Sequence, residues 1–183
     1  MRMIHRAAIL MSALVFAAAV AAADKPYAGQ QTRSIKALSD EEIADYLQGN
    51  GMGLSKVAEL NHYPGPRHVL DQAADLELSP AQLAKVKEIW QAMDVKARAL
   101  GEAIVARETE LETSYSSGTA TPAGTRTVLD ELARLHADLR YTHLSAHLAM
   151  RSVLSADQIA RYDVLRGYAG DAIAPAGHHP MRH

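Results

Sequence analysis

The feature that most constrains the fold is a long stretch of helical periodicity in the middle of the chain. Apolar side chains recur there in alternating steps of three and four, the pattern of one helix face. The positions are Leu83, Val86, Trp90, Met93, Ala97, Leu100, Ile104 and, after an interruption at Arg107, Leu111. No proline interrupts the chain between Pro80 and Pro122. The spacing predicts one helix over residues 80–117.

A second periodic stretch follows a short segment rich in serine, threonine and glycine. Its apolar face carries Val128, Leu132, Leu135, Leu139, Ala146 and Val153. This spacing predicts a helix over residues 125–152, antiparallel to the first because the connection is short. The 183 residues, 48% of them hydrophobic, suit one domain. We therefore expect an all-α fold, a long antiparallel helical hairpin with shorter flanking helices, and a homodimer that covers apolar surface left exposed by one hairpin.

Two copies of one helix-start signal flank this hairpin. Ser79 is expected to cap the first long helix, and Gln82 is expected to return a hydrogen bond to the cap. Ser155 and Gln158 repeat the pair at the start of a last helix, which should end at Gly167.

The two motifs also carry a family resemblance. They read Leu78-Ser79-Pro80-Ala81-Gln82 and Leu154-Ser155-Ala156-Asp157-Gln158. They resemble the signature of the periplasmic Leu-Thr-x-x-Gln motif family, with serine in place of threonine. That family includes the Spy and CpxP chaperones, zinc-resistance-associated proteins and heavy-metal sensors. The resemblance covers residues 66–168 and implies a small helical protein that dimerises and binds unfolded clients or metal without ATP.

The first 23 residues have the composition of an export signal. Arg2 and Arg6 precede an apolar run that ends on three alanines before Asp24, so we expect cleavage there and a periplasmic protein. A retained anchor is the alternative, but the run is short for a membrane span, and we expect no span in the mature chain. The sequence has no cysteine, which excludes disulfides and thiolate metal sites. Its net charge of −2 argues against nucleic acid as a partner.

Residues 24–65 form an N-terminal extension that the family resemblance does not cover. Ser39 and Glu42 form a helix-start signal, and Gly49 should end that helix. Further short helices are expected over residues 54–60 and 67–75. The extension either forms a domain of its own or lies over the hairpin.

Histidines on the returning helix are the candidate metal ligands. His143 and His147 are one turn apart, a spacing that lets two imidazoles bind one ion. His136 lies about 10 Å before His143 along the helix, so a third ligand must come from elsewhere. The candidates are Met150, Glu108 or Glu110 of the facing helix, and a residue of a second subunit.

The family resemblance points to the same region. The heavy-metal sensors carry a His followed by a Met-Arg pair shortly before their second motif. In this chain His147, Met150 and Arg151 occupy the corresponding place before Leu154. Two residues rather than three separate the His from the Met.

Residues 169–183 are expected to form a disordered tail. It ends with His178, His179, Met181 and His183, a composition that binds divalent zinc, copper, nickel or cobalt.

A plainer interpretation of the helix histidines is packing at the edge of the apolar face. On a helical wheel the three histidines and Met150 lie on one flank of that face. Leu144 and Leu148 fall on the far side. They suit a dimer contact or a surface for unfolded clients, or they pack under the extension.

No enzyme signature is present. The segment from His143 to His147 lacks the glutamate that activates water in His-Glu-x-x-His hydrolases. We expect a non-enzymatic periplasmic stress protein of heavy-metal resistance that binds divalent metal and acts as an ATP-independent chaperone for unfolded proteins. The alternative is a metal-sensing or regulatory module that restrains a membrane-bound signalling partner.

Overall fold

A computed structural model describes residues 25–169 of the chain. The predicted export signal and all but the first residue of the predicted tail lie outside this range. The described chain contains a short 3-10 turn, Gln30–Thr32, six α-helices and no strand. The helices are α1 (Asp40–Gln48), α2 (Lys56–Glu59), α3 (Pro66–Asp71), α4 (Pro80–Ser116), α5 (Pro122–Val153) and α6 (Ala156–Leu165). None of them has the length and apolar character of a membrane span.

The two long helices, α4 and α5, pack along each other as the predicted hairpin. Their shared core consists of Ala97, Ile104, Val128, Leu132 and Leu139. α5 begins at Pro122 rather than at residue 125, because the Thr121 hydroxyl accepts a hydrogen bond from the Gly124 backbone N–H at 3.1 Å. Proline suits the first helical position after such a cap. The predicted all-α hairpin fold is confirmed.

All three predicted capping boxes are present. Ser39, Ser79 and Ser155 each accept a hydrogen bond from the third residue of the following helix, whose side chain bonds back to the cap. These bonds satisfy backbone N–H groups that the helix itself leaves unpaired. α6 ends at Leu165, and Gly167 has a φ of 72°, the left-handed conformation that commonly follows a helix.

The N-terminal extension lies over the hairpin. α1 packs on α4, α2 packs on α5, and Ile35 and Leu38 are buried. α1 comes so close to α4 that a Cβ at Gly101 would meet the Tyr46 carbonyl oxygen at 1.9 Å. The absence of a side chain at this position therefore permits the docking.

The helices α2 and α3 are shorter than the predicted ranges 54–60 and 67–75. After Asp71 the chain turns, and Glu77 takes a φ of 51°. The turn brings Leu76 into a core with Val69, Val86, Met150, Leu154 and Tyr162. Burial of Leu76 therefore overrides the helical propensity of this segment.

Candidate functional site

His143 and His147 are buried in α5, which corrects the expectation that they lie at the edge of the apolar face. Their exposed fractions are 3% and 5%. The loop that carries Tyr63 and Gly65 crosses this flank of the helix and contacts His147. A helical wheel cannot show this burial, because it contains no information on what the extension covers.

The ring of His147 is held in one orientation by the extension. Its Nδ1 lies 2.7 Å from the Tyr63 carbonyl oxygen. A carbonyl can only accept, so Nδ1 carries the proton and donates it to this bond. In the neutral ring Nε2 then keeps a free lone pair, as in histidines that bind metal.

His143 lies one turn before His147, and its Nε2 is buried without a hydrogen-bond partner. Burial, and secondly the proximity of His147, lower the pKa of His143 below its ordinary value of 6.5. The ring is therefore neutral at pH 7, as a metal ligand must be. A buried polar atom without a partner is costly, so this nitrogen marks a place where a ligand would be stabilising.

Both rings line one cavity of about 880 Å³, here called the histidine cavity, between the extension and the hairpin. Trp90 and Met93 of α4 form part of its wall. Gly65 keeps space beside His147, because a Cβ at that position would lie 3.0 Å from Cε1 and 3.4 Å from Nε2 of the ring.

His68 of α3 also lines the histidine cavity, but its Nε2 is already used. Arg166 Nη2 lies 3.2 Å from it, and a guanidinium only donates, so Nε2 is the acceptor. Burial, and secondly the charge of Arg166, lower the pKa of His68 below 6.5. His68 is therefore a neutral neighbour of the pair whose Nε2 lone pair is not available to a metal.

A partly buried carboxylate, Glu59 of α2, lies beside His147, and one of its two oxygens accepts hydrogen bonds. Its Oε1 accepts from Tyr162 OH at 2.5 Å, Tyr168 OH at 3.2 Å and Arg166 Nε at 3.3 Å. Its Oε2 lies 3.6 Å from the protonated Nδ1 of His147. Burial, and secondly the bond to Glu59, raise the pKa of Tyr162 above its ordinary value of 10.0, so this hydroxyl remains a donor. The network joins the extension to α6.

The other predicted ligands lie elsewhere or outside the described residues. Met150 is fully buried in the apolar core with Val86 and Tyr162. His136 packs edge-on against Tyr46, with ring centroids 5.9 Å apart. Neither Met150 nor His136 lines the histidine cavity. The tail histidines His178, His179 and His183 fall outside residues 25–169, and their role stays a prediction.

Glu108 and Glu110 do not face the histidine pair, which corrects that expectation. Arg107 forms ion pairs with both Glu110 and Glu131 of α5. Glu108 lines the same surface groove as Leu129 of α5. Glu131 precedes His143 by about 18 Å along the helix axis. The antiparallel register of the hairpin, which helical spacing does not reveal, separates the glutamates from the histidines.

The histidine cavity contains two imidazoles but no complete set of metal ligands from the described residues. Within residues 25–169, no group of three or more His, Cys, Asp or Glu side chains is placed to hold a metal ion. His143 and His147 supply two nitrogen ligands, whereas zinc takes four. Ligands from outside this part of the chain would have to complete the coordination.

Four residues of this site were not predicted from the sequence: Glu59, His68, Tyr162 and Arg166. One signal was available, since Tyr162 and Arg166 are one turn apart and share a helix face. No sequence pattern near Tyr162 predicts that α2 packs against this face, because the contact between Tyr162 and Glu59 joins positions 103 residues apart.

The chain matches no protein-family model, no curated protein and no solved structure. The resemblance to the Leu-Thr-x-x-Gln motif family therefore rests on the two short motifs and on the helical hairpin they flank.

Proposed function

We propose that this protein is a non-enzymatic periplasmic stress protein of heavy-metal resistance that binds a divalent transition metal through His143 and His147. One observation supports it above all: His143 and His147 lie one turn apart in the lining of one cavity, His147 with the lone pair of Nε2 and His143 with a buried Nε2 that has no hydrogen-bond partner. The bond from His147 Nδ1 to a backbone carbonyl is the outer contact that commonly orients a ligating imidazole. Zinc, copper, nickel and cobalt all accept imidazole nitrogen.

The test is calorimetric titration of the chain from Asp24 onward with Zn²⁺, Cu²⁺, Ni²⁺ and Co²⁺. His143→Gln and His147→Gln replace the imidazoles with poor metal ligands of similar size. We expect saturable binding, with a Kd of about 1 μM or tighter, that the double variant abolishes. His136→Gln, on the same helix but outside the cavity, is the matched control and should bind unchanged. Binding that is lost only when the chain ends at Gly170 would instead assign the metal to the tail.

We further propose that the outer face of α5 binds unfolded proteins or a second copy of the chain. Tyr141 and Leu148 are 63% and 56% exposed, and Leu144 between them is partly buried. Their spacing puts them on one helix face. Exposed apolar side chains within a charged surface suit the weak, adaptable contacts of an ATP-independent chaperone.

Suppression of aggregation of a heat-unfolded enzyme tests the chaperone proposal. Leu148→Ser should reduce the suppression, because it removes apolar contact surface from this face. Val164→Ser on α6 is the matched control, since Val164 is 66% exposed and lies outside the face. Equal suppression by both variants would contradict the assignment.

The alternative is a regulatory module that restrains a membrane-bound signalling partner. What favours it is the bond between His147 and Tyr63, because a metal on His147 would act on the contact that holds the extension to the hairpin. This alternative requires a stoichiometric complex whose affinity changes with metal, and little general suppression of aggregation. Size-exclusion chromatography with and without metal distinguishes the two.

A further inference from the structure

We propose that the histidine cavity binds a neutral small molecule rich in hydroxyl groups, of the size of a mono- or disaccharide. This ligand is additional to the proposed metal, and its binding does not depend on that metal. Three properties of the cavity support it: hydrogen-bonding atoms that the fold leaves without a partner, a lining whose charges are paired with one exception, and its size.

Two unpartnered acceptors lie beside Gly65 in the cavity lining. Oε1 of Glu59 accepts three hydrogen bonds, but its Oε2 accepts none. Nε2 of His147 keeps its lone pair, because Nδ1 carries the proton of this ring. A Cβ on Gly65 would lie 3.2 Å from this Oε2 and 3.4 Å from this Nε2. Neither atom is fully buried, in contrast to Nε2 of His143, so a ligand can donate hydrogen bonds to both.

The same lining offers unpartnered donors. Arg166 donates through Nε and Nη2, but its Nη1 makes no hydrogen bond within residues 25–169. Lys56 is exposed and forms no ion pair in this part of the chain. A carboxylate ligand offers only acceptors and an ammonium ligand only donors, whereas a hydroxyl group donates and accepts at once. Hydroxyl groups therefore match a cavity wall that presents both.

The charges of the lining favour a neutral ligand. Its three arginines all form ion pairs: Arg166 with Glu59, Arg98 with Asp94, and Arg67 with Asp71. An anion entering the cavity would find one unpaired charge, at the exposed Lys56, and a cation would find none. Removal of an ion from water costs free energy unless the ion is paired. A neutral ligand avoids this cost.

The size and the apolar part of the cavity suit a sugar ring. The volume of about 880 Å³ falls within the roughly 300–1,000 Å³ of sites for small organic molecules. Four apolar side chains belong to the lining, namely Met52, Leu60, Trp90 and Met93. A saccharide carries hydroxyl groups around its edge and C–H groups on its ring faces. It can therefore contact the apolar side chains while it hydrogen-bonds to the polar ones.

Titration with glucose, N-acetylglucosamine, maltose and trehalose tests the proposal, with the fluorescence of Trp90 and calorimetry as readouts. Trp90 is the single tryptophan of the chain and lines the cavity. We expect saturable binding of at least one of these saccharides, with a Kd of about 1 mM or tighter. Glucosamine and glucuronate, which carry a positive and a negative charge, should bind at least about tenfold more weakly than the best neutral saccharide.

Gly65→Ala tests the position of the ligand. Gly65 has a φ of −82° and a ψ of 135°, an extended conformation that alanine also adopts. The added methyl group would stand beside Oε2 of Glu59 and Nε2 of His147 and exclude a ligand from both acceptors. We expect saccharide binding to weaken at least about tenfold. Gly51→Ala is the matched control, because Gly51 also lines the cavity but its Cβ would meet nothing within 4 Å.

Lys56→Met provides a test that does not alter the packing around Gly65. Lys56 is exposed, so the variant should fold like the parent chain. Loss of its donor should weaken saccharide binding about fivefold, as expected for one hydrogen bond. Lys96→Met on α4 is the matched control, since Lys96 is exposed and lies outside the cavity lining.

Four results would each overturn the proposal. They are no binding of any of the four saccharides, tighter binding of glucosamine or glucuronate, equal binding by Gly65→Ala and Gly51→Ala, and equal binding by Lys56→Met and Lys96→Met. None of them bears on the proposed metal site, because the metal titration is made without saccharide and tests different variants.

Discussion

Gln82 and Gln158, the reciprocal partners of two separate helix caps, are hydrogen-bonded to each other. Gln82 Nε2 donates to Gln158 Oε1 at 2.8 Å, and Gln158 Nε2 donates to Gln82 Oε1 at 3.2 Å. Each Nε2 also donates to a backbone carbonyl, and each Oε1 also accepts from the backbone N–H of its cap serine. Both amides are therefore fully satisfied. The start of α4 is joined to the start of α6.

Gln82→Ala and Gln158→Ala should each destabilise the fold, because either change leaves the other amide with unmet partners in a partly buried position. We expect a loss of about 1–3 kcal/mol for each. The double variant should lose less than the sum by about 0.5 kcal/mol or more, since the two residues share bonds. Urea unfolding measures all three. Gln91→Ala on the exposed side of α4 is the control, and strict additivity of the pair would contradict the coupling.

Gly101→Ala should loosen the N-terminal extension. Its Cβ would lie 1.9 Å from the Tyr46 carbonyl oxygen, so α1 must move away from α4. Alanine gains about 1 kcal/mol of helix propensity over glycine, but overpacking costs about 1–3 kcal/mol or more. We expect net destabilisation and faster amide exchange in Asp40–Gln48, measured by mass spectrometry. Gly51→Ala, whose Cβ meets nothing within 4 Å, should leave that exchange unchanged.

Glu59→Gln should weaken the contact between the extension and α6. The change keeps the shape of the side chain but removes the negative charge to which Arg166 and Tyr162 donate hydrogen bonds. Hydrogen bonds to charged groups contribute about 1.5–3 kcal/mol, and we expect a loss of this order in urea unfolding. Glu77→Gln is the control, because its pair with Arg161 is exposed and should be worth under about 1 kcal/mol. Equal losses for both variants would show that the partial burial of Glu59 has no energetic consequence.

Stability should fall as the pH drops below 6.5. Burial lowers the pKa of His143 and of His68 below their ordinary value of 6.5, so the unfolded chain binds protons that the folded chain excludes. The contribution of these two histidines to the free energy of unfolding is complete above pH 6.5. It is lost as the pH falls from 6.5 through their lowered pKa values. Urea unfolding at several pH values measures the slope. A slope that His143→Gln and His68→Gln leave unchanged would contradict the assignment.

The helix starts were predictable because their signals are local. Ser79 and Gln82, like Ser155 and Gln158, lie three residues apart, and the bonds they make depend only on the first turn of the helix. The apolar spacing likewise predicted both long helices. α5 was predicted to start too late, although the cap Thr121 followed by Pro122 was a sufficient signal.

The histidine site was only half predictable. Helical spacing identified the pair His143 and His147, because one turn of helix relates them. It did not predict their burial, the bond to Tyr63 or the network of Glu59, since these join segments that are 84 or more residues apart.

The sequence by itself determined where α1, α4 and α6 begin, that the two long helices form a hairpin, and which two imidazoles share a helix face, because those properties depend on near neighbours. The tertiary structure alone decided that residues 25–65 cover the hairpin, that α1 docks at Gly101, and that Glu59 and Arg166 meet beside the histidine pair. Such contacts depend on a surface that exists only after α4 and α5 have packed, so no local pattern records them.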